Sequence, residues 1–156
     1  MRIERSLLLP CTPEHCLAEV RTTRLLRHVA WPMVVFTPET PPSFPDEWEE
    51  KAYLVSMRLF GVLPLGRQHI DISIRDRSAE TGRFHVELRD NGHGTLISTW
   101  DHRITIEAAP TGCRYTDRVD IRAGLLTPFA TLFAWVFYRH RQRRWRQVAE
   151  RGFTHD

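Results

Sequence analysis

Alternation of apolar and polar residues runs through most of the chain and predicts a sheet of antiparallel strands. Residues 2–9 read as a first strand that stops at Pro10, with alternate residues on one face (Ile3, Arg5, Leu7 and Leu9). Later runs alternate with period two over residues 49–59, 68–75, 83–89, 95–108 and 114–122. The turn residues 90–94 and 110–112 separate the last three runs, so the pattern predicts a meander.

Two short helices are predicted between the first strand and the meander. Thr12 offers a side-chain oxygen to free backbone amides, Pro13 suits the first helical position, and Glu14 is favourable against the helix dipole. The helical spacing of apolar residues breaks near residues 21–23, which indicates two helices rather than one. Five prolines between residues 32 and 45 then predict a loop.

A long helix is predicted after Gly124. Apolar residues recur at helical spacing from Leu126 to Phe137, and such a stripe more often packs in a core than contacts a ligand. The arginine-rich stretch 139–146 indicates a solvated helix end, because cations complement the dipole there. The order of strand, helix pair, meander and long helix indicates a single α+β domain over residues 1–156.

Composition and motifs argue against several classes of function. The net charge is +3 and Lys51 is the only lysine, which bears on solubility before it bears on partners. The apolar segment 124–138 is shorter than the roughly 20 residues of a membrane-spanning helix, so no integral membrane span is expected. Without a nucleic-acid motif, a phosphate-binding glycine loop or a nucleophilic serine elbow, we expect no nucleic-acid partner and no cofactor.

The three cysteines predict free thiols. Their number is odd and no signal peptide precedes them, so a reducing, cytoplasmic location is expected. Cys11 and Cys16 flank His15, but a zinc site usually needs two close pairs of ligands, and no second pair is present. No metal is therefore predicted, because a free cysteine usually packs as a small buried apolar residue.

Four short phrases look familiar: Phe60-Gly61-Val62-Leu63-Pro64-Leu65-Gly66, Trp100-Asp101-His102, Arg114-Tyr115-Thr116-Asp117-Arg118-Val119 and Tyr138-Arg139-His140-Arg141-Gln142-Arg143-Arg144-Trp145. Together with the order of elements, they resemble the helix-grip fold of the START-like, or SRPBCC, superfamily. That superfamily includes birch-pollen-allergen-like proteins, lipid-transfer START domains and polyketide cyclases. The resemblance implies a curved antiparallel β-sheet wrapped around a long C-terminal helix, with a cavity between them. It departs in one respect, since five strand runs follow the helix pair where six are usual.

Candidate ligand-binding residues are those whose side chains point into such a cavity: Tyr53, Met57, Trp100, His102, Tyr115 and Asp117 from the sheet, and Phe129 and Phe133 from the terminal helix. Pairing through the turn at residues 110–112 sets Ile104 opposite Asp117, which makes His102 and Asp117 diagonal neighbours. A carboxylate that orients an imidazole raises its basicity, so these two residues are the catalytic candidates. A buried histidine satisfied by a carboxylate is also a common structural feature.

Three functions remain open at this point. The leading hypothesis is binding of a hydrophobic, aromatic or lipid-like small molecule in the cavity. An alternative is an enzyme similar to polyketide cyclases and dehydratases, in which His102, oriented by Asp117, moves a proton. A second alternative is a protein–protein interaction module that uses the arginine-rich helix end or the apolar loop 62–65. That loop is expected to gate the cavity, to fold back on the first helices or to be buried in a homodimer.

Overall fold

The computed structural model describes residues 1–154, which form one seven-stranded antiparallel sheet and four α-helices. The strands follow the order β1-β7-β6-β5-β4-β3-β2 across the sheet. Their bounds are β1 Arg2–Leu9, β2 Val34–Thr40, β3 Ala52–Leu59, β4 Leu63–Asp76, β5 His85–Gly94, β6 Thr99–Ala108 and β7 Cys113–Arg122. The helices are α1 Pro13–Val20, α2 Thr23–Ala30, α3 Ser78–Thr81 and α4 Thr127–Glu150, and α4 follows a short 3₁₀ turn, Gly124–Leu126. The sheet is curved, and the predicted α+β helix-grip architecture is confirmed.

The described sheet has one strand more than the sequence predicted. β2 lies inside the segment 32–45, which was predicted as a loop because of its prolines. Pro38 is tolerated in β2 because this strand is at the edge of the sheet, where a missing amide donor need not break a ladder. Six strands therefore follow the helix pair, and the departure from the usual superfamily pattern disappears.

The predicted apolar loop 62–65 is largely a strand. β4 begins at Leu63, and the turn that precedes it is formed by Phe60 and Gly61, both with positive φ angles of 50° and 72°. Two consecutive residues with positive φ make the kind of tight hairpin that suits the twist of antiparallel strands. The prediction of a loop is therefore wrong for Leu63, Pro64 and Leu65, which belong to β4.

The predicted turn 90–94 is also part of a strand. β5 continues to Gly94, and β6 begins at Thr99 rather than at residue 95. A Cβ atom at Gly94 would lie 2.5 Å from the carbonyl oxygen of Arg67, so the glycine permits close approach of two backbones instead of a turn.

The two short helices agree with their sequence signals. The Thr12 hydroxyl accepts a hydrogen bond from the backbone amide of His15 at 3.2 Å, and Pro13 occupies the first turn of α1. The Thr22 hydroxyl accepts one from the amide of Leu25 at the start of α2. Each cap satisfies a backbone donor that the helix itself leaves free.

Helix α4 packs against β1, β7 and α2, but with a different face from the one predicted. Its buried residues are Ala134, Phe137, Tyr138, Arg141, Gln142, Trp145, Val148 and Ala149. Phe129 and Leu132, which were predicted to pack in the core, are 72% and 62% exposed. The prediction of a solvated arginine-rich end is wrong for Arg141 and Trp145, because the buried helical stripe continues through them. No helix within residues 1–154 is long and apolar enough to cross a membrane.

Candidate functional site

A cavity of about 400 Å³ lies between the sheet and α4. Its walls come from the end of α1, from α2, from β2 to β6 and from α4 as far as Arg141, and most of its lining side chains are apolar. Besides aliphatic and aromatic side chains, the lining includes Gln68, Asp90, His102 and Arg141. No described residue of β1 or β7 lines this cavity, because the second half of α4 covers that side of the sheet.

The structure brings together five of the eight predicted ligand-binding residues at this cavity: Met57, Trp100, His102, Phe129 and Phe133. The other three do not line it. Tyr53 is buried in the core, where its ring packs edge-on against Trp48 with centroids 5.0 Å apart and its hydroxyl accepts a hydrogen bond from the amide of Glu49. Tyr115 and Asp117 lie on β7, behind His102 and beneath α4.

His102 and Asp117 form the hydrogen bond that the strand register predicts. Ile104 pairs with Asp117 across β6 and β7, and Nε2 of His102 lies 2.8 Å from Oδ1 of Asp117. Because His102 lines the cavity and Asp117 is 1% exposed, the carboxylate supports the ring from the interior. The catalytic role of the pair stays a prediction.

Asp117 is the centre of a buried polar network. Its Oδ1 accepts a hydrogen bond from the Tyr115 hydroxyl at 2.9 Å, and its Oδ2 accepts one from Nε2 of Gln142 at 2.9 Å. The guanidinium of Arg141 lies 3.7 Å from Oδ1 and donates to the Tyr115 hydroxyl at 3.3 Å. The carboxylate therefore has partners from two strands and one helix, as a buried charge requires.

Burial and this network together set the pKa values of Asp117 and His102. Burial is the largest influence on Asp117 and opposes its charge, but the hydrogen bond from His102, the charge of Arg141 and the amide of Gln142 together lower the pKa of Asp117. For His102, burial lowers the pKa by more than the hydrogen bond and charge of Asp117 raise it. The ring is therefore neutral at pH 7. A neutral ring that faces a carboxylate through Nε2 carries its proton there, which leaves Nδ1 as the basic nitrogen.

Asp90 is a cavity residue that sequence reasoning missed. It stands directly opposite His102 across β5 and β6, and its Oδ1 accepts a hydrogen bond from the backbone amide of Asp71 at 2.9 Å. Burial raises the pKa of Asp90 to about 8, so its carboxyl is protonated at neutral pH. The alternation of Val86 and Leu88 extends to residue 90 and points to it, but the sequence pattern predicts a turn over residues 90–94.

Gln68 and Arg141 are the other cavity residues outside the prediction. Gln68 precedes Ile70 and Ile72 in the inward row of β4, so period-two spacing points to it. Arg141 lies four positions after Phe137 on the buried stripe of α4, but its place within a run of arginines suggested a solvated helix end. Helical spacing alone would have identified it.

The mouth of the cavity is apolar. Leu96, Leu126 and Phe129 line the cavity and are each more than half exposed. At the neighbouring hairpin, Leu63 is 58% exposed and does not line the cavity, whereas Leu65 does. A gating or homodimer role for this hairpin therefore stays a prediction.

Solved structures share this fold over nearly the whole chain at low sequence identity. Protein CV1439 from Chromobacterium violaceum has a TM-score of 0.65 and 11% identity, with 95% of this chain and 96% of that chain covered. The Zhui aromatase/cyclase from Streptomyces has a TM-score of 0.64 and 7% identity, with 97% and 94% covered. A START superfamily protein from Mycobacterium smegmatis has a TM-score of 0.60 and 8% identity, with 96% and 97% covered.

These likenesses confirm the START-like fold that the sequence resembles. A search of the curated proteins found no match. Residues 10–149 match the family described as a domain of unknown function, DUF8410, and the chain therefore belongs to that family.

Proposed function

We propose that this protein binds a hydrophobic small molecule in the cavity between the sheet and α4. The observation that carries this proposal is the cavity itself, about 400 Å³ in volume with mostly apolar walls and a few polar groups. Small-molecule sites typically have this size and composition. Structural neighbours described as a START superfamily protein and an aromatase/cyclase support the proposal at the level of ligand class.

The lining favours an aromatic or lipid-like ligand that carries an uncharged polar group. Trp100, Phe133 and Phe137 provide flat apolar surface. The charge of Arg141 is already compensated by Asp117, while His102 and Asp90 are neutral at pH 7. A ligand hydroxyl can accept a hydrogen bond from the protonated carboxyl of Asp90 and donate one to Nδ1 of His102, whereas a keto oxygen can accept from Asp90. An ionised headgroup would find no free opposite charge among these groups, so its burial would be unfavourable.

Fluorescence titration with the neutral apolar probe N-phenylnaphthylamine tests the site. Ala130 lines the cavity on α4, so Ala130→Phe fills space without removing packed atoms, and we expect it to weaken probe binding at least about tenfold. Ala79→Phe is the matched control, because Ala79 is exposed on α3, and its affinity should equal that of the wild type. Undiminished binding by a folded Ala130→Phe variant, or no saturable binding by the wild type, would reject the proposal.

A second candidate function is proton transfer by His102. The specific observation is that Asp117 holds Nε2 while the neutral ring lines the cavity, which leaves Nδ1 as a base beside a bound ligand. A general base of this kind typically contributes about 100-fold or more to a rate. The reaction class is proton abstraction next to a ketone, as in cyclisation of a poly-β-ketone.

Turnover of a synthetic linear poly-β-ketone thioester, followed by chromatography, tests this candidate. We expect His102→Ala to lower the rate by about 100-fold or more while still binding the probe. Asp117→Asn should also lower it, because an amide does not hold the same tautomer. Unchanged turnover in a folded His102→Ala protein would remove the enzyme role and leave ligand binding untouched.

A further inference from the structure

All three cysteines of the chain meet at one place, although Cys113 is 102 residues from Cys11 in sequence. Cys11 follows β1, Cys16 lies in α1, and Cys113 is the first residue of β7. The Sγ atoms of Cys11 and Cys113 are 3.8 Å apart, and all three Sγ atoms lie within 4.8 Å of one another. Three sulfur atoms from three separate elements therefore point to one place.

The strand register and a glycine bring the thiols together. Leu9 pairs with Cys113 across β1 and β7, which places the chain after Leu9 beside the start of β7. Gly112 has a φ angle of +93°, and a Cβ atom there would lie 2.1 Å from the carbonyl oxygen of Leu9. Only glycine allows this close approach. The first turn of α1, with the amide of Cys16 bonded to the carbonyl of Thr12, completes the cluster.

We propose that Cys11, Cys16 and Cys113 form a binding site for a thiolate-preferring metal ion, Cu(I) or Zn(II). A metal about 2.3 Å from each of three sulfurs requires them to be about 4 Å apart. The observed separations of 3.8 Å to at most 4.8 Å need only a small contraction. No fourth histidine, cysteine or acidic ligand joins the cluster within residues 1–154. Three sulfur ligands suit Cu(I) directly, and Zn(II) would take a water as its fourth ligand.

The cluster can be reached from the surface. Cys11 is half-buried and lines a surface cleft with Thr111 and Arg146, so an ion can reach it, whereas Cys16 and Cys113 are fully buried. A metal binds thiolates, so the ion would displace thiol protons as it binds and its uptake would release protons.

Anaerobic titration of the reduced full-length protein tests the site, with Cu(I) competed against bathocuproine disulfonate and Zn(II) against a chromogenic chelator. We expect one ion per chain and a loss of at least about 100-fold in affinity in Cys11→Ser, since second-shell changes alone cost up to about that much. Cys11 is half-buried, so this exchange of sulfur for oxygen should leave the fold intact. Thr111→Ser, a change in the same cleft that keeps the thiols, should bind like the wild type.

Thiol alkylation provides a measurement that does not depend on a variant. Iodoacetamide should modify Cys11 in the metal-free protein and fail to modify it after one equivalent of the ion is added. Less than stoichiometric uptake, equal affinity of Cys11→Ser and wild type, or a disulfide between Cys11 and Cys113 that forms in the presence of either ion would overturn the proposal.

Discussion

Removing the charge of Asp117 while keeping its shape should destabilise the protein strongly. In Asp117→Asn the amide can still accept from Tyr115, but it no longer carries the negative charge that compensates Arg141. Arg141 is 6% exposed and keeps its proton, because the neighbouring phenols and carboxylate raise its pKa in spite of burial. The variant therefore leaves an uncompensated cation in the interior.

The expected magnitude follows from the burial of both partners. Breaking a buried ion pair by removing one charge typically costs about 3–5 kcal/mol of unfolding free energy. Asp120→Asn is the matched control on the same strand, because its partner Arg2 is exposed and the pair lies on the surface. Exposed pairs contribute about 1 kcal/mol or less, so the control should lose no more than that.

Urea denaturation at pH 7, with the m-value checked for constancy, measures both variants. The double variant Asp117→Asn with Arg141→Met removes both charges, and we expect it to be more stable than Asp117→Asn alone, because the desolvated cation is gone. The reasoning would be refuted if Asp117→Asn lowered the free energy of unfolding by less than about 1 kcal/mol. It would also be refuted if the loss in the double variant equalled the sum of the losses in Asp117→Asn and Arg141→Met measured singly.

Two further predictions concern Asp90 and Gly112. The Asp90 carboxyl is protonated in the folded protein below about pH 8 but ionised in the unfolded chain above about pH 4, so the unfolded state binds fewer protons in this window and stability falls as pH rises through it. Urea midpoints between pH 5 and pH 9 should show a shallower decline in Asp90→Asn, and an equal decline would contradict the raised pKa. Gly112→Ala should cost more than the roughly 1–2 kcal/mol of a positive φ angle, because the new methyl group meets Leu9. Gly82→Ala has a positive φ angle but open space, so it isolates the φ cost, and equal losses in thermal denaturation would exclude the contact.

The fold was largely predictable because each part of its signal is local. β1 has the predicted bounds, the cap at Thr12 begins α1, and a break near residue 22 separates α1 from α2. These features depend on period two, on a single capping residue and on a break in helical spacing. The position of a strand in the sheet is a tertiary property, so the proline-rich β2 was not predictable from its own composition.

Turn residues misled the prediction where tertiary contacts determine their role. Gly92 and Gly94 are strand residues, and at Gly94 the backbone of β4 passes so close that a Cβ atom would not fit. A glycine required for close approach and a glycine required for a turn look alike in sequence. For the same reason Asp90 was not predicted as a cavity residue, because a turn at residues 90–94 would end the row of inward-facing residues of β5 before it.

The site residues on the sheet were easier to predict from sequence than those on α4. The register of β6 and β7 alone predicted that His102 meets Asp117. The face of α4 depends on how far the helix lies over the sheet, so its first turns, including Phe129, stand at the cavity mouth while Arg141 lies inside. Arginine in a basic run is usually solvated, so the composition of this run predicts a solvated helix end even though the spacing from Phe137 places Arg141 on the buried stripe. Its partners Tyr115 and Asp117 show why the charge is tolerated inside.

The buried polar network has a physical cost that bears on function. An apolar pair in place of Asp117 and Arg141 would avoid desolvating two charges, and such replacements are often neutral or stabilising. Stability alone therefore does not account for placing this pair beside an apolar cavity. Asp117 does hold His102 in one tautomer, with the protonated carboxyl of Asp90 opposite it. The cavity wall therefore presents one hydrogen-bond acceptor, Nδ1 of His102, and one donor, the Asp90 carboxyl, without a net charge on either group.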